Sequence, residues 1–395
     1  MACVTFRASF REARSAGKVE SMLQNMTEKN NKAADLRELR DPDFCRALAR
    51  SLHESQDREI RFMEVCGTHT MSIFGSGLRS LMPRGLHHVS GPGCPVCVTH
   101  GSDIAAFLEL ASTPEVMLAS FGDMLRVPGP DGKSLKMAQA EGASVRICYS
   151  PFEAVQLAES HPDREVVFLG VGFETTAPAV AATMEMARQK SLSNFSLYSC
   201  HKLIPPALEA LVAQPGFRVD GFLLPGHVSS VIGTAPYRFL AEDYGIPSVV
   251  GGFEPGDILQ ALLMLVRRIR SAEPEVDNEY SRAVKPEGNQ RAQEVMHRVF
   301  EPRDALWRGL GTIPASGLGL REEYAAMDAE RRFFLSRSGG EDPPGCRCGE
   351  VLQGAIRPGE CPLFGRSCTP SSPVGPCMVS SEGSCAASYH YDIDV

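Results

Sequence analysis

Phe62-Met-Glu-Val-Cys-Gly-Thr-His-Thr70 is the stretch on which the reading of the fold turns. Ile60 to Val65 alternates and is apolar enough for a short buried strand. The strand stops at Cys66-Gly67, where a glycine lets the backbone turn sharply. Thr68, His69 and Thr70 then offer hydroxyls and an imidazole, and Met71 to Leu81 reads as a helix. A thiol thus sits at the carboxyl end of a strand beside the start of a helix, where open α/β sheets place their ligands. A helix N-terminus and a neighbouring histidine both lower a thiol's pKa, so Cys66 is expected to favour thiolate. A buried structural cysteine is the alternative, cysteine being among the most often buried residues.

The same pattern recurs along the chain. Asp41-Pro42-Asp43 caps a helix through His53. Strands at 115–120, 144–149, 165–171, 194–199, 219–224 and 248–250 mostly run into polar loops and then helices. Repeated strand, loop and helix implies parallel sheet with helical crossovers. The expectation is an α/β protein: a first α/β domain over 37–140, a second over 141–270, and a cysteine-rich domain over 271–395. Pro128-Gly-Pro-Asp-Gly132 marks the break between the first two, and 272–309 reads as charged and helical. Residues 1–36 read as a disordered lead-in or an over-called start. The strand ends carry Thr68, His69, Asp123, Glu174, His201, His227, Glu254 and Asp257, and in a parallel sheet such ends converge on one edge. No nucleotide-binding glycine fingerprint follows any strand.

Composition narrows the class. Hydrophobic residues at 43% and charged residues at 22% are those of a water-soluble globular chain. A net charge of −8 without a long basic run argues against nucleic acid as a partner. No apolar run reaches membrane-spanning length and no signal peptide is evident, so the expected location is the cytoplasm. There, 13 cysteines read as metal or redox sites rather than disulfide staples.

Two cysteine groups stand out. Cys94 and Cys97, in Gly91-Pro-Gly-Cys-Pro-Val-Cys97, have the spacing of a redox dithiol or half a metal site; a tight turn with incidental thiols is the bland reading. Cys346, Cys348, Cys361, Cys368, Cys377 and Cys385 crowd the last part of the chain among Pro and Gly. These thiols suit an iron–sulfur cluster, which takes four thiolates, with zinc the alternative because spacing alone does not choose the metal.

Met63-Glu-Val-Cys-Gly-Thr-His-Thr70, Gly91-Pro-Gly-Cys-Pro-Val-Cys97, Gly172-Phe-Glu-Thr-Thr-Ala-Pro178, Leu224-Pro-Gly-His-Val-Ser-Ser230, Gly252-Phe-Glu-Pro-Gly-Asp257 and Cys361-Pro-Leu-Phe-Gly365 through Cys385 together closely resemble the hydrogenase formation protein family HypD, in order over Leu36 to Tyr391. The resemblance implies a maturation factor for [NiFe] hydrogenase, with two α/β domains and a third bearing a [4Fe–4S] cluster. It implies a small HypC-type partner with which an iron is held while its Fe(CN)2CO unit is built. Cyanide would come from a HypE-type donor charged by HypF, and the finished unit would pass to the hydrogenase large subunit. Carried over to this chain, the iron-site cysteine falls on Cys66, the dithiol on Cys94 and Cys97, and the cluster on Cys361, Cys368, Cys385 and one of Cys346 or Cys348. The rival readings are an iron–sulfur oxidoreductase acting on a small metabolite and a zinc-bearing scaffold.

Overall fold

The computed structural model describes residues 36–129, 131–335, 340 and 342–391, so the lead-in expected over 1–36 lies, but for Leu36, outside the described residues. The first long helix, Pro42–Ser55, starts as the sequence dictates. The Asp41 carboxylate accepts the N–H groups of Asp43 (2.9 Å) and Phe44 (2.8 Å), and Pro42 occupies the first turn.

Nine strands follow in chain order: β1 (Ile60–Glu64), β2 (Leu86–Ser90), β3 (Val116–Ser120), β4 (Val145–Ile147), β5 (Glu165–Gly170), β6 (Phe195–Ser199), β7 (Gly221–Pro225), β8 (Ser248–Gly251) and β9 (Val276–Asn278). They form two wholly parallel sheets, one in the order β2-β1-β7-β8-β9 and the other β4-β3-β5-β6. The α/β expectation therefore holds, but the pairing does not follow the expected division at residue 140. β1 pairs with β7, so the first sheet is built from two separate stretches of chain, and the second sheet lies between them in sequence. The expected break at 128–132 falls between β3 and β4, which are neighbours in one sheet. The strand–loop–helix pattern is alike in both sheets, so it identifies strands without saying which of them are neighbours.

Residues 272–309 also depart from the helical expectation. A helix at Gln290–Val299 leads into a hairpin of β10 (Phe300–Trp307) and β11 (Gly311–Leu320), antiparallel with an irregularity between Arg303 and Ala305. Glu301, Arg303 and Asp304 face outward or half outward, while Phe300, Ala305 and Trp307 are buried; the charges belong to one face of a strand. The hairpin lies across the carboxyl end of the second sheet, where the Leu203 N–H donates to Ser316 O (2.8 Å) and the Leu318 N–H to His201 O (3.3 Å). Trp307 is fully buried and its indole N–H donates to Ser316 Oγ at 2.8 Å.

The core divides accordingly. Helices Pro42–Ser55 and Pro255–Ser271 cover one face of the first sheet with Leu48, Leu52, Ile258 and Leu262 against Phe62 and Val249. Helices Pro151–Ser160 and Ala177–Gln189 do the same for the second. The cysteine-rich end contains the helices Cys348–Leu352 and Ser384–Tyr391 linked by turns, and it joins the apolar cluster that includes Cys94 and Cys97. Among the described residues no helix is long and apolar enough to cross a membrane.

Candidate functional site

Cys66 stands two residues past the end of β1 as the cap of a helix that begins at once, Gly67–Gly75. Thr68, His69 and Thr70 therefore occupy its first turn rather than a loop. Gly67 is not the site of a sharp left-handed turn either. Its role is close approach, because a Cβ there would lie 2.5 Å from Glu382 Cβ. The Gly67 N–H donates to Gly93 O (2.9 Å), and a Cβ on Gly93 would overlap the Cys66 backbone nitrogen. The Cys94–Cys97 loop is thereby seated on the turn that carries Cys66.

The Cys66 thiol opens on a cleft of about 400 Å³ lined also by Thr68, Pro95, Phe173, Thr175, Thr176, His227, Ser230 and Glu382. Four of the sequence motifs meet there: the end of β1, the glycine-rich turn before Cys94, the loop after β5 and the start of the helix after β7. A fifth contributor, Glu382, comes from the cysteine-rich end. Its Oε1 accepts the Thr68 hydroxyl at 3.0 Å. Glu382 was not singled out in the sequence, although it sits in the Ser-Ser-Glu-Gly run between Cys377 and Cys385. Glu64, beneath Cys66, was also missed. Buried at the last position of β1, its carboxylate accepts the Cys66 N–H (2.9 Å) and the Thr70 hydroxyl (2.5 Å).

The electrostatics reverse one expectation. Burial pushes the Cys66 thiol up to about 12, and the Glu64 and Glu382 carboxylates push the same way. The helix start acts as foreseen, through the N–H groups of His69 and Thr68, but desolvation wins. His69 gives no cationic help: its Nε2 faces the carbonyls of Gly252 (2.9 Å) and Gly251 (3.2 Å), and burial lowers its pKa. Its ring and that of His227 both lie against Phe253, at 4.8 and 3.8 Å between centroids. His227 alone of the expected histidines lines the cleft, held toward the neutral form by partial burial.

The remaining strand-end residues do not line the cleft. Glu174 is buried, its Oε1 accepting the Ile204 N–H at 2.9 Å, and burial raises its pKa to about 7. His201 lies beneath the β10–β11 hairpin against Phe300, and burial, aided by Arg303 and Lys202, lowers it to about 3. Glu254 and Asp257 cap helix Pro255–Ser271; Glu254 pairs with Arg40 (2.5 Å) and Asp257 with Arg282 (2.5 Å). Asp123 accepts the Ser380 hydroxyl at 3.1 Å, so it tethers the cysteine-rich end. One edge holding all of these groups does not exist, because they lie at the ends of two separate sheets and the hairpin covers the end of β6.

The six C-terminal cysteines do come together. Cys346, Cys348, Cys361, Cys368, Cys377 and Cys385 line one small cavity whose other walls are Val351, Leu363, Phe364, Gly375 and Met378. All but Cys346 are buried, and the sulfurs of Cys348 and Cys377 lie 2.7 Å apart. Among the described residues no three His, Cys, Asp or Glu side chains close on a point that a single ion would occupy. A ring of thiols around a volume walled by hydrocarbon is the donor set a polynuclear iron–sulfur cluster needs. Cys94 and Cys97 are joined as a disulfide, and their helical turn Pro95–Val98 packs against Pro376–Met378, which carries Cys377.

Residues 43–392 match the family described as "HypD: Hydrogenase formation hypA family". The chain belongs to the HypD family. It is 47% identical to the hydrogenase maturation factor HypD2 of Bradyrhizobium diazoefficiens over 363 residues, covering 90% of this chain and 96% of the relative. Against the hydrogenase maturation factor HypD of Escherichia coli it is 47% identical over 350 residues, 88% of this chain and 94% of the relative. The HypD of Cupriavidus necator is 43% identical over 365 residues, 90% and 96% respectively. The matched span takes in the Cys66 cleft, the disulfide and all six cysteines of the cavity. A small-metabolite oxidoreductase is not what these relatives are.

Proposed function

We propose that this chain is a metallocentre-assembly scaffold of [NiFe] hydrogenase maturation that holds an iron at Cys66 while its cyanide and CO ligands are added. The observation that carries the reading is the cleft itself: one thiol at its base, with hydroxyls, an imidazole and a carboxylate around it. A thiolate is a soft anchor for low-spin iron(II). The iron is cargo here, and binding it displaces the Cys66 proton. His227, kept toward neutral, is the base on the rim. Thr175, Thr176 and Ser230 offer hydroxyl donors of the kind that cyanide nitrogens accept. A small HypC-type chain would close the open side and supply a further ligand, a HypE-type protein charged by HypF would deliver cyanide, and the hydrogenase large subunit would receive the product.

The electron supply belongs to the same reading. A [4Fe–4S] cluster held by four of the six cavity cysteines would provide one-electron chemistry beside a disulfide whose opening takes up two electrons. The residues fit: the cavity is lined by sulfur and hydrocarbon, and the segment bearing Cys377 packs on the Cys94–Cys97 turn. Cys66→Ser keeps the size of the side chain and removes the soft ligand. Infrared spectra of wild-type and variant chains, each co-purified with the small partner, test the assignment. Metal-bound cyanide and CO bands are expected in the first and absent in the second; bands of equal intensity in both would overturn it.

A further inference from the structure

A second concavity, of about 730 Å³, opens against the edge strand β2 and shares no lining residue with the Cys66 cleft. Its walls include Phe74 and Val89 from the first sheet's layer and Val351 and Ile356 from the cysteine-rich end. Its charged lining is mainly cationic. Arg61, Arg79 and Arg357 contribute guanidinium groups, while Glu360 is the one carboxylate among its lining residues. Two of these cations are fixed in place. Arg61 donates to Gly354 O across the groove, and Arg79 lies 4.7 Å above the Phe74 ring. Arg357 caps the exposed turn Pro358–Glu360. At the back stands His88. Its side chain is 6% exposed, and Nε2 has no hydrogen-bond partner among the described residues, the Glu64 carboxylate being 3.8 Å away.

We propose that this groove binds a phosphorylated small molecule. Its phosphate would lie among Arg61, Arg79 and Arg357, with the remainder against Phe74 and Val89. Guanidinium forks match phosphate oxygens two at a time, and no lysine shares the lining. The volume falls in the range of about 300–1,000 Å³ typical of small-ligand sites. The site touches both halves of the machinery, because Val351 also walls the thiol cavity and His88 stands behind Glu64, which holds the Cys66 N–H.

Calorimetric titration of the full chain at fixed ionic strength tests the proposal. The probes are inorganic phosphate, pyrophosphate, ribose 5-phosphate and adenosine monophosphate, with citrate as a polycarboxylate of similar charge. Saturable one-to-one binding of a phosphate probe, with citrate much weaker, is expected. Preference for the organic phosphates over free phosphate would identify the source. Arg357→Gln, at an exposed position whose loss leaves the core intact, should weaken binding by about ten- to a hundredfold. Arg298→Gln, at an exposed arginine that pairs with Glu185 and is not among the groove's lining residues, should change nothing. No saturable binding of any phosphate probe, equal binding of citrate, or unaltered affinity in both Arg357→Gln and Arg79→Gln would overturn it.

Discussion

Replacing Glu174 by Gln separates a catalytic role for this residue from the structural one. In the folded chain its carboxyl is buried, its Oε1 takes the Ile204 N–H at the start of helix Ile204–Val212, and its Oε2 has no partner among the described residues. Burial raises the pKa from 4.5 to about 7. The folded state thus keeps a proton that the unfolded chain has released, and stability falls as pH rises through the interval between 4.5 and about 7. At about 1.4 kcal/mol per unit, the full loss is about 3 kcal/mol, complete above the folded pKa and absent below the unfolded one. Gln cannot ionise and keeps the carbonyl that accepts the Ile204 N–H. In urea unfolding from pH 4.5 to 8, the wild type should therefore lose about 3 kcal/mol more than Glu174→Gln, the difference appearing between those two pKa values. The variant should also keep the cyanide and CO bands at wild-type intensity when purified with the small partner. An unchanged pH slope would refute the buried-acid argument, and loss of the bands in a stably folded variant would return Glu174 to the chemistry.

Other perturbations address the rest of the site. Cys361→Ala or Cys368→Ala should bleach the visible absorption of anaerobically purified protein and lower its iron content from about four per chain; full colour in both would remove these ligands from the assignment. Alkylation mapping should find Cys94 and Cys97 blocked after oxidation and labelled after reduction, and equal labelling in both states would leave the loop a turn without redox function. Thr68→Val keeps the side-chain shape but leaves Glu382 without its hydroxyl donor, at a cost of about 1–3 kcal/mol. Limited proteolysis should then cut the 377–391 segment faster than in wild type, and identical digestion would show that the contact does not hold the segment.

The strand–loop–helix units were legible because each strand is a short apolar run closed by a polar turn, and that signal is local. Which strands are neighbours is not local. β1 finds β7 across more than a hundred residues through buried faces that look alike in every strand. β2 was illegible for another reason: Leu86-His-His-Val-Ser90 is an edge strand, half-buried along most of its length, and needs no apolar pattern. The β10–β11 hairpin hid behind charges that belong to its outward face. It bears on the candidate site because it covers the end of β6 and buries His201 there. Cys66, Cys94, Cys97 and the six late cysteines were recognisable from residue type and spacing. Their surroundings were not, since a helix start and a histidine next in sequence suggested a thiolate, and burial beside two carboxylates gives a thiol.

Glu382 and Asp123 show how the cysteine-rich end is held beside a thiol more than three hundred residues earlier. Ser380 is bonded to Asp123, Arg126 donates to Val379 O (2.8 Å), and Glu382 takes the Thr68 hydroxyl. These contacts bracket a short segment that carries Cys377 on one side and Cys385 on the other. The helix Ser384–Tyr391 continues the attachment by packing on Gly67–Gly75, with the Tyr391 ring beside Gly75. The segment thus meets the second sheet at the end of β3 and the first sheet at the end of β1. The thiol cavity is therefore fixed to both sheets at the mouth of the cleft, with the Cys94–Cys97 turn packed between it and Cys66 through Gly93. Gly93 and Cys66 meet backbone to backbone with no side-chain atom between them, so the Cys94–Cys97 turn and the segment that carries Cys66 pack as one unit, although they belong to separate cysteine motifs in the sequence.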